Sequence, residues 1–287
     1  MPLDSIAEIL ASCSERNLAF WQVVLEADVE ERQVSAGASF EKMRATWRAM
    51  LDSAESYDGG LRSVSGLSGG DGELMLRYAA GGAALGGGYI SEVIATALCV
   101  GESNACMRKI VAAPTAGACG VLPAVLVPLY RRGEREEDIL RALYTAAGIG
   151  AVINGRASIS GAAGGCQAEI GSASAMAAGA LAQLRGGGPE QTANALAMAL
   201  KNLMGLICDP VAGLVEVPCV KRNVIGAVNA VSCADMALAG ITSRIPADEV
   251  IDCMGIVGER LPREFRETAR GGLAATPTGR AAWKKLK

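Results

Sequence analysis

The sequence predicts an all-α fold, a compact bundle of Ala- and Gly-rich helices with glycine-rich loops that shape a pocket. Three observations predict it. Hydrophobic residues make up 51% of the 287 residues but aromatics only 4%, so the apolar mass is Ala, Val, Leu and Ile beside 36 glycines. Residues without bulk let helix backbones approach closely. Long segments carry helical apolar spacing, and few show the alternation or β-branched density that strands need.

The elements follow in order. Residues 3–56 are charged, amphipathic and helical in pattern, with Trp21 and Trp47 as anchors. RSVSGLSGGDGELM (62–75) is a glycine and serine loop. Residues 76–100 form a small-residue helix interrupted at the glycines 86–88. IVAAPTAGACGVLPAVLVPLY (110–130) carries no charge over 21 positions, long enough for a membrane span. Pro114, Pro123 and Pro128 would each break helix hydrogen bonds in lipid, so a buried loop and helix is expected there, with room for a strand or two. The polar turn RRGEREED leads into a helix from Asp138 to Ile153. NGRASISGAAGGC (154–166) is a second glycine-rich loop. Helices are expected over Ala168–Leu184, Glu190–Leu206, 223–240 and 247–260, and the tail ARGGLAATPTGRAAWKK reads as irregular. No repeat or linker divides the chain, so residues 1–287 are expected to form one domain, with 1–60 its least specific part.

Charge and termini narrow the function classes. A net charge of −3, with both signs mixed along the chain, leaves no basic patch for nucleic acid. The start MPLDSIAEILASCSERN has acids where a signal peptide needs a basic start, which predicts a cytoplasmic protein. In a reducing compartment the nine cysteines are thiols or metal ligands, not disulfides.

The cysteines divide by position. Cys166 precedes a helix, Cys208 follows one, and Cys219 precedes the next, all at helix–loop junctions where backbone can shape a pocket. Cys13, Cys99, Cys106, Cys233 and Cys253 lie in helical patterns, and Cys119 in the apolar stretch. There is no CxxC pair and no histidine, so spacing alone fits small buried hydrophobes as well as metal ligands.

Longer strings add to this. MRKIVAAPTAGACGVLPAVL (107–126), GGCQAEIGSASAMAA (164–178) and NLMGLICDPVAGLVEVPCVKRN (202–223) resemble the α chain of the iron–sulfur-dependent L-serine dehydratases. SGLSGGDG (65–72) and GGLAATPTGR (271–280) fit the same family, and the match runs over roughly residues 60–280. The resemblance implies a four-iron, four-sulfur cluster held by Cys166, Cys208 and Cys219 and pocketed by the glycine-rich loops. Three thiolates leave one iron open to act as a Lewis acid on the hydroxyl of L-serine. The reaction implied is β-elimination of water followed by release of pyruvate and ammonia.

Under the resemblance, Ser65, Gly66, Ser68, Gly69 and Gly70 become candidates to hold the substrate carboxylate, since hydroxyls and free N–H groups can cradle an anion. Without it the same loop reads as a plain flexible connection. The turn through Pro114, Thr115, Ala116 and Gly117 is a second such candidate. Asp209, Glu169, Lys221 and Arg222 flank the proposed ligands, either supporting them or as ordinary helix-end charges. The proton acceptor is the gap: histidine is absent, and Lys109, Glu169 and Lys221 are the candidates within the chain. Family members carry either an additional N-terminal domain or a separate β chain. The resemblance therefore implies a hetero-oligomer whose β chain lends a histidine or closes the site. Two rival readings remain: a pyridoxal-phosphate dehydratase, which would require alternating strands and helices, and a non-enzymatic helical subunit with buried cysteines.

Overall fold

The computed structural model describes residues 3–82 and 84–286. The chain opens with α1 (Ile6–Arg16), α2 (Phe20–Arg32) and α3 (Ala36–Glu55), followed by α4 (Asp71–Ala80) and α5 (Gly87–Ala105). Next come α6 (Val121–Arg131), α7 (Glu136–Arg156), the single turn α8 (Gly161–Gly164) and α9 (Ser172–Leu184). The order ends with α10 (Pro189–Asn202), α11 (Cys219–Leu238), α12 (Ala247–Arg260) and α13 (Pro277–Lys285). Among the described residues there is no strand, only an isolated bridge between Cys208 and Arg266. The all-α expectation holds. The strands that a pyridoxal-phosphate enzyme would need, and those allowed for within 110–130, are not present in the described residues. No described helix is long and apolar enough to cross a membrane.

Helix α9 is the axis of the bundle. Its residues Ser172 through Ala182 are all buried, and α6, α7, α10 and α11 pack around it. The sequence SASAMAAGALAQL permits this because almost every side chain is small. Gly179 shows how close the approach is: a Cβ there would lie 2.3 Å from Ile149 Cδ1 of α7, so a larger residue would require the Ile149 side chain to move. Some polar atoms inside the bundle are paired, whereas Ser172 Oγ and Thr192 Oγ1 find no hydrogen-bond partner among the described residues. Ser174 donates to the Gly226 carbonyl (2.7 Å) and accepts from Asn229 (2.9 Å).

The N-terminal helices pack on this bundle, α2 and α3 against α7, and α1 against α10 and α12. Asp248 of α12 accepts the backbone N–H groups of Ile6 (2.8 Å) and Ala7 (2.9 Å), satisfying donors that open α1 and placing a negative charge at its positive end. Trp47 is fully buried and meets Tyr130 edge-on at 5.6 Å. Trp21 is half-buried, against Phe40 and under the Arg141 guanidinium.

Several boundaries differ from expectation. Helix α4 begins at Asp71, inside the expected loop, because a carboxylate from α5 binds its first N–H groups. Helix α10 stops at Asn202, short of Leu206, and α11 begins at Cys219. The tail is not irregular throughout. Thr276 accepts from the Gly279 N–H (3.1 Å) and Pro277 fills the first helical position, a start signal that opens α13. The apolar 110–130 stretch forms a 3-10 turn at Ala116–Ala118 and then α6.

Candidate metal centre and substrate loop

Three separate segments bring Cys166, Cys208 and Cys219 together. Cys166 follows α8 and enters a π-turn, Gln167–Gly171, that runs directly into α9. Such one-turn widenings are frequent at functional sites. Cys208 lies in the loop after α10, held by its N–H to the Phe265 carbonyl (2.8 Å) and by its own carbonyl to the Glu267 N–H (2.9 Å). Cys219 is the first residue of α11.

The thiols influence one another electrostatically. Burial raises Cys219 to about 12, and the charges of Cys166 and Glu169 add to it. Burial raises Cys166 to about 11, opposed by the Arg222 charge. Cys208 is raised most, by burial and then by Glu169, Cys166, Glu267 and Cys219. Two buried thiols and the half-buried Cys219, with Cys166 disfavouring the ionised forms of Cys208 and Cys219, make a donor set whose thiolates a bound cation would favour. The other cysteines lack this mutual arrangement. Cys119 is raised to about 12 by burial alone, while Cys253 is exposed. Among the described residues, no three His, Cys, Asp or Glu side chains converge closely enough for a single metal ion.

Glu169 stands beside these thiols. Its carboxylate accepts from Thr115 Oγ1 (2.8 Å) and lies 3.9 Å from the Cys208 sulfur. Burial raises its pKa above the ordinary carboxylate value. Gly161 makes room for both groups, since a Cβ there would lie 2.6 Å from Glu169 Oε2 and 2.9 Å from Cys208 Sγ. Gly117 also borders the carboxylate, 3.2 Å from Glu169 Oε1 to an added Cβ. Asn223 ties this turn to α11: its amide donates to the Gly117 carbonyl (2.8 Å) and its oxygen accepts the Gly120 N–H (2.8 Å). Thr115 and Gly117 thus both border the Glu169 carboxylate. The other two proton-acceptor candidates stand elsewhere. Lys221 is 70% exposed and paired with Asp71 (2.8 Å). Lys109 is exposed beside Arg44, Arg48 and Asp52 of α3.

The serine and glycine loop is an anion cradle already filled by the protein's own acids. Glu102 of α5, 1% exposed, accepts the N–H groups of Gly69 (3.2 Å), Asp71 (2.9 Å) and Gly72 (3.1 Å) and the hydroxyl of Tyr57 (2.6 Å). It caps α4 from a neighbouring helix, because Gly70 has no side chain to do so. Glu216, 4% exposed, accepts the hydroxyls of Ser63 (2.6 Å) and Ser65. Gly66 and Ser68 spend their N–H groups inside the loop, on the carbonyl and hydroxyl of Ser63. Glu102, Glu216 and Asn223 escaped the sequence reading. The only available signal was their polar character inside apolar runs, which does not name a partner.

The sequence model of the family described as "Serine dehydratase alpha chain" matches residues 15–274. The chain belongs to that family. A probable L-serine dehydratase alpha chain of Bacillus subtilis is 46% identical over 283 residues, covering 98% of this chain and 94% of the relative. The L-serine dehydratase alpha chain of Peptoniphilus asaccharolyticus is 39% identical and covers 96% of each. An L-serine dehydratase of Escherichia coli is 48% identical over 181 residues, 62% of this chain but only 40% of the relative, whose polypeptide is longer.

Proposed function

We propose that this α chain carries the catalytic centre of an L-serine dehydratase, converting L-serine to pyruvate and ammonia, with a four-iron, four-sulfur cluster on Cys166, Cys208 and Cys219. The gathering of three electrostatically coupled thiols, Cys166 and Cys208 buried and Cys219 half-buried, from three distant segments carries the reading. Soft thiolates suit iron–sulfur clusters, and in a cluster each thiolate ligates its own iron, so the sulfurs need not converge on one point. When bound, a cluster with three protein thiolates supplies an open Lewis-acid position for the substrate hydroxyl.

The chain's own residues do the rest. The backbone N–H groups at Ala116 and Gly117 receive the substrate carboxylate at the pocket wall, where Asn223 fixes the turn. The Ser65 loop closes the other side, held through Glu216 to the segment that carries Cys219. Glu169 accepts the α-proton. It is the candidate that borders the thiols, and Thr115 orients its carboxylate. The eliminated 2-aminoacrylate then tautomerises and hydrolyses without further help. A second reading gives the proton to a histidine of a β chain, which the absence of histidine here favours. A β-chain partner is also in keeping with the longer single-chain relative. Nine unpaired thiols suit a reducing compartment, so we place the enzyme in the cytoplasm.

The test is anaerobic reconstitution with iron and sulfide. Cys166→Ala, Cys208→Ala and Cys219→Ala each lose bound iron and serine turnover, whereas Cys119→Ala and Cys253→Ala keep both. Full iron content in Cys208→Ala would overturn the ligand assignment.

A further inference from the structure

Arg222 lies one turn into α11, on the helix that begins with Cys219. Its Nη1 donates to the Ile207 carbonyl (2.7 Å) and its Nη2 to Asp209 Oδ1 (2.8 Å). Those two residues bracket Cys208. The charge of the same guanidinium reaches the Cys166 thiol, where it opposes the effect of burial. The pair is enclosed, with Arg222 12% and Asp209 3% exposed. Asp209 spends its second oxygen on the Leu273 N–H (2.8 Å), which draws the segment before α13 over the Cys208 loop. One planar fork and its carboxylate thus reach all three cysteine segments and the strap that covers one of them.

We propose that Arg222 is the positioning residue that sets the three cysteine segments relative to one another, and that Asp209 orients it. The proposal rests on the reading of those cysteines as cluster ligands. The chemistry favours arginine specifically. A guanidinium can donate at fixed angles to a carbonyl, a carboxylate and a sulfur at once, while a lysine ammonium is a compact point charge on a flexible stem. The fixed positive charge also lies where thiolate charge must accumulate on ligation. Removing either partner leaves a buried charge unpaired.

The test compares the wild-type chain with Arg222→Lys and Asp209→Asn after anaerobic reconstitution with ferrous iron and sulfide. Iron loss to a chelator is followed by absorbance, and the reduced cluster by electron paramagnetic resonance. Arg222→Lys is expected to keep the wild-type circular dichroism, lose iron about 10–100-fold faster, and shift the resonance g-values. Asp209→Asn retains the guanidinium and removes its charged anchor. It is expected to change in the same direction, and it is the variant read if Arg222→Lys does not fold. Wild-type iron retention and g-values in the folded variant overturn the role of Arg222. A wild-type chain that takes up no iron overturns the cluster reading itself, so the two failures are distinct.

Discussion

Glu216 and Ser63 are 153 positions apart in the chain, and their side chains meet at 2.6 Å. This contact joins the glycine-rich loop to the loop that carries Cys208 and Cys219. Ser65 donates to the same carboxylate, so two hydroxyls converge on one buried acid three residues ahead of Cys219. The serine and glycine loop and the thiol loop are therefore placed by one another, and neither position follows from local backbone preference alone.

The first prediction concerns that joint. Glu216→Gln keeps the shape of the side chain but replaces one of the two carboxyl oxygens with an amide NH2 group, which cannot accept. Hydrogen bonds to a charged group contribute about 1.5–3 kcal/mol, which corresponds to about a 10–100-fold fall in kcat/KM for serine. Iron content should not change, because the thiols remain. Steady-state kinetics at matched iron content check this, and an unaltered kcat/KM would remove Glu216 from the substrate side of the site.

Glu102 should matter for stability more than for chemistry. It satisfies three backbone N–H groups and the Tyr57 hydroxyl at the start of α4. Glu102→Ala leaves those donors facing an apolar gap. The expected loss is about 2–4 kcal/mol, the cost of two or more buried donors without an acceptor. Urea unfolding of the iron-free chain measures it. A loss below that of an ordinary surface substitution would mean that water replaces the carboxylate freely.

These two acids show where sequence reading stops. The helices were legible because small and apolar residues recur with helical spacing, and the three cysteines because they sit at element junctions within long, specific strings. Glu102 lies in a helix of mostly small and apolar residues, where nothing local marks it as buried, but only 1% of it is exposed. Its partners lie about 30 positions away in a loop whose glycines give no register, so the pairing is a tertiary fact. Helix α13 is a different miss: the tail was expected to be irregular, although the Thr276–Pro277 start signal is local and legible in the sequence.

The buried thiols away from the site predict a pH dependence. Folding raises Cys99 and Cys119 from their ordinary value near 9.0 to about 12, and Cys233 to about 11, each mainly by burial. The folded chain therefore holds protons that the unfolded chain releases above pH 9.0. Their stabilising contribution is full below that pH and is lost as pH rises toward the folded values. The melting temperature of the iron-free chain should fall as pH is raised through 9.0. Replacing Cys119 and Cys233 with Ala should flatten that fall, and an identical slope in the double variant would reject thiol ionisation as its cause.

The last prediction locates the proton acceptor. Glu169 borders the Cys208 thiol, takes a hydrogen bond from Thr115, and is faced by two glycines that leave room around its carboxylate. Lys221 is engaged with Asp71 at the surface, and Lys109 lies by α3. Glu169→Gln preserves volume and hydrogen bonding to Thr115 but cannot take a proton. With iron content matched to wild type, its serine turnover should fall about 10²–10⁴-fold, the scale of general base catalysis. KM should change little if, as proposed, the turn at Thr115–Gly117 and not Glu169 holds the carboxylate of the substrate. The same assay is run with and without the β chain. If Glu169 is the base, the variant stays slow in both samples. If the β chain supplies a histidine, the isolated wild-type chain is slow, addition of the β chain restores it, and Glu169→Gln is restored equally; that last outcome would reassign the base to the partner.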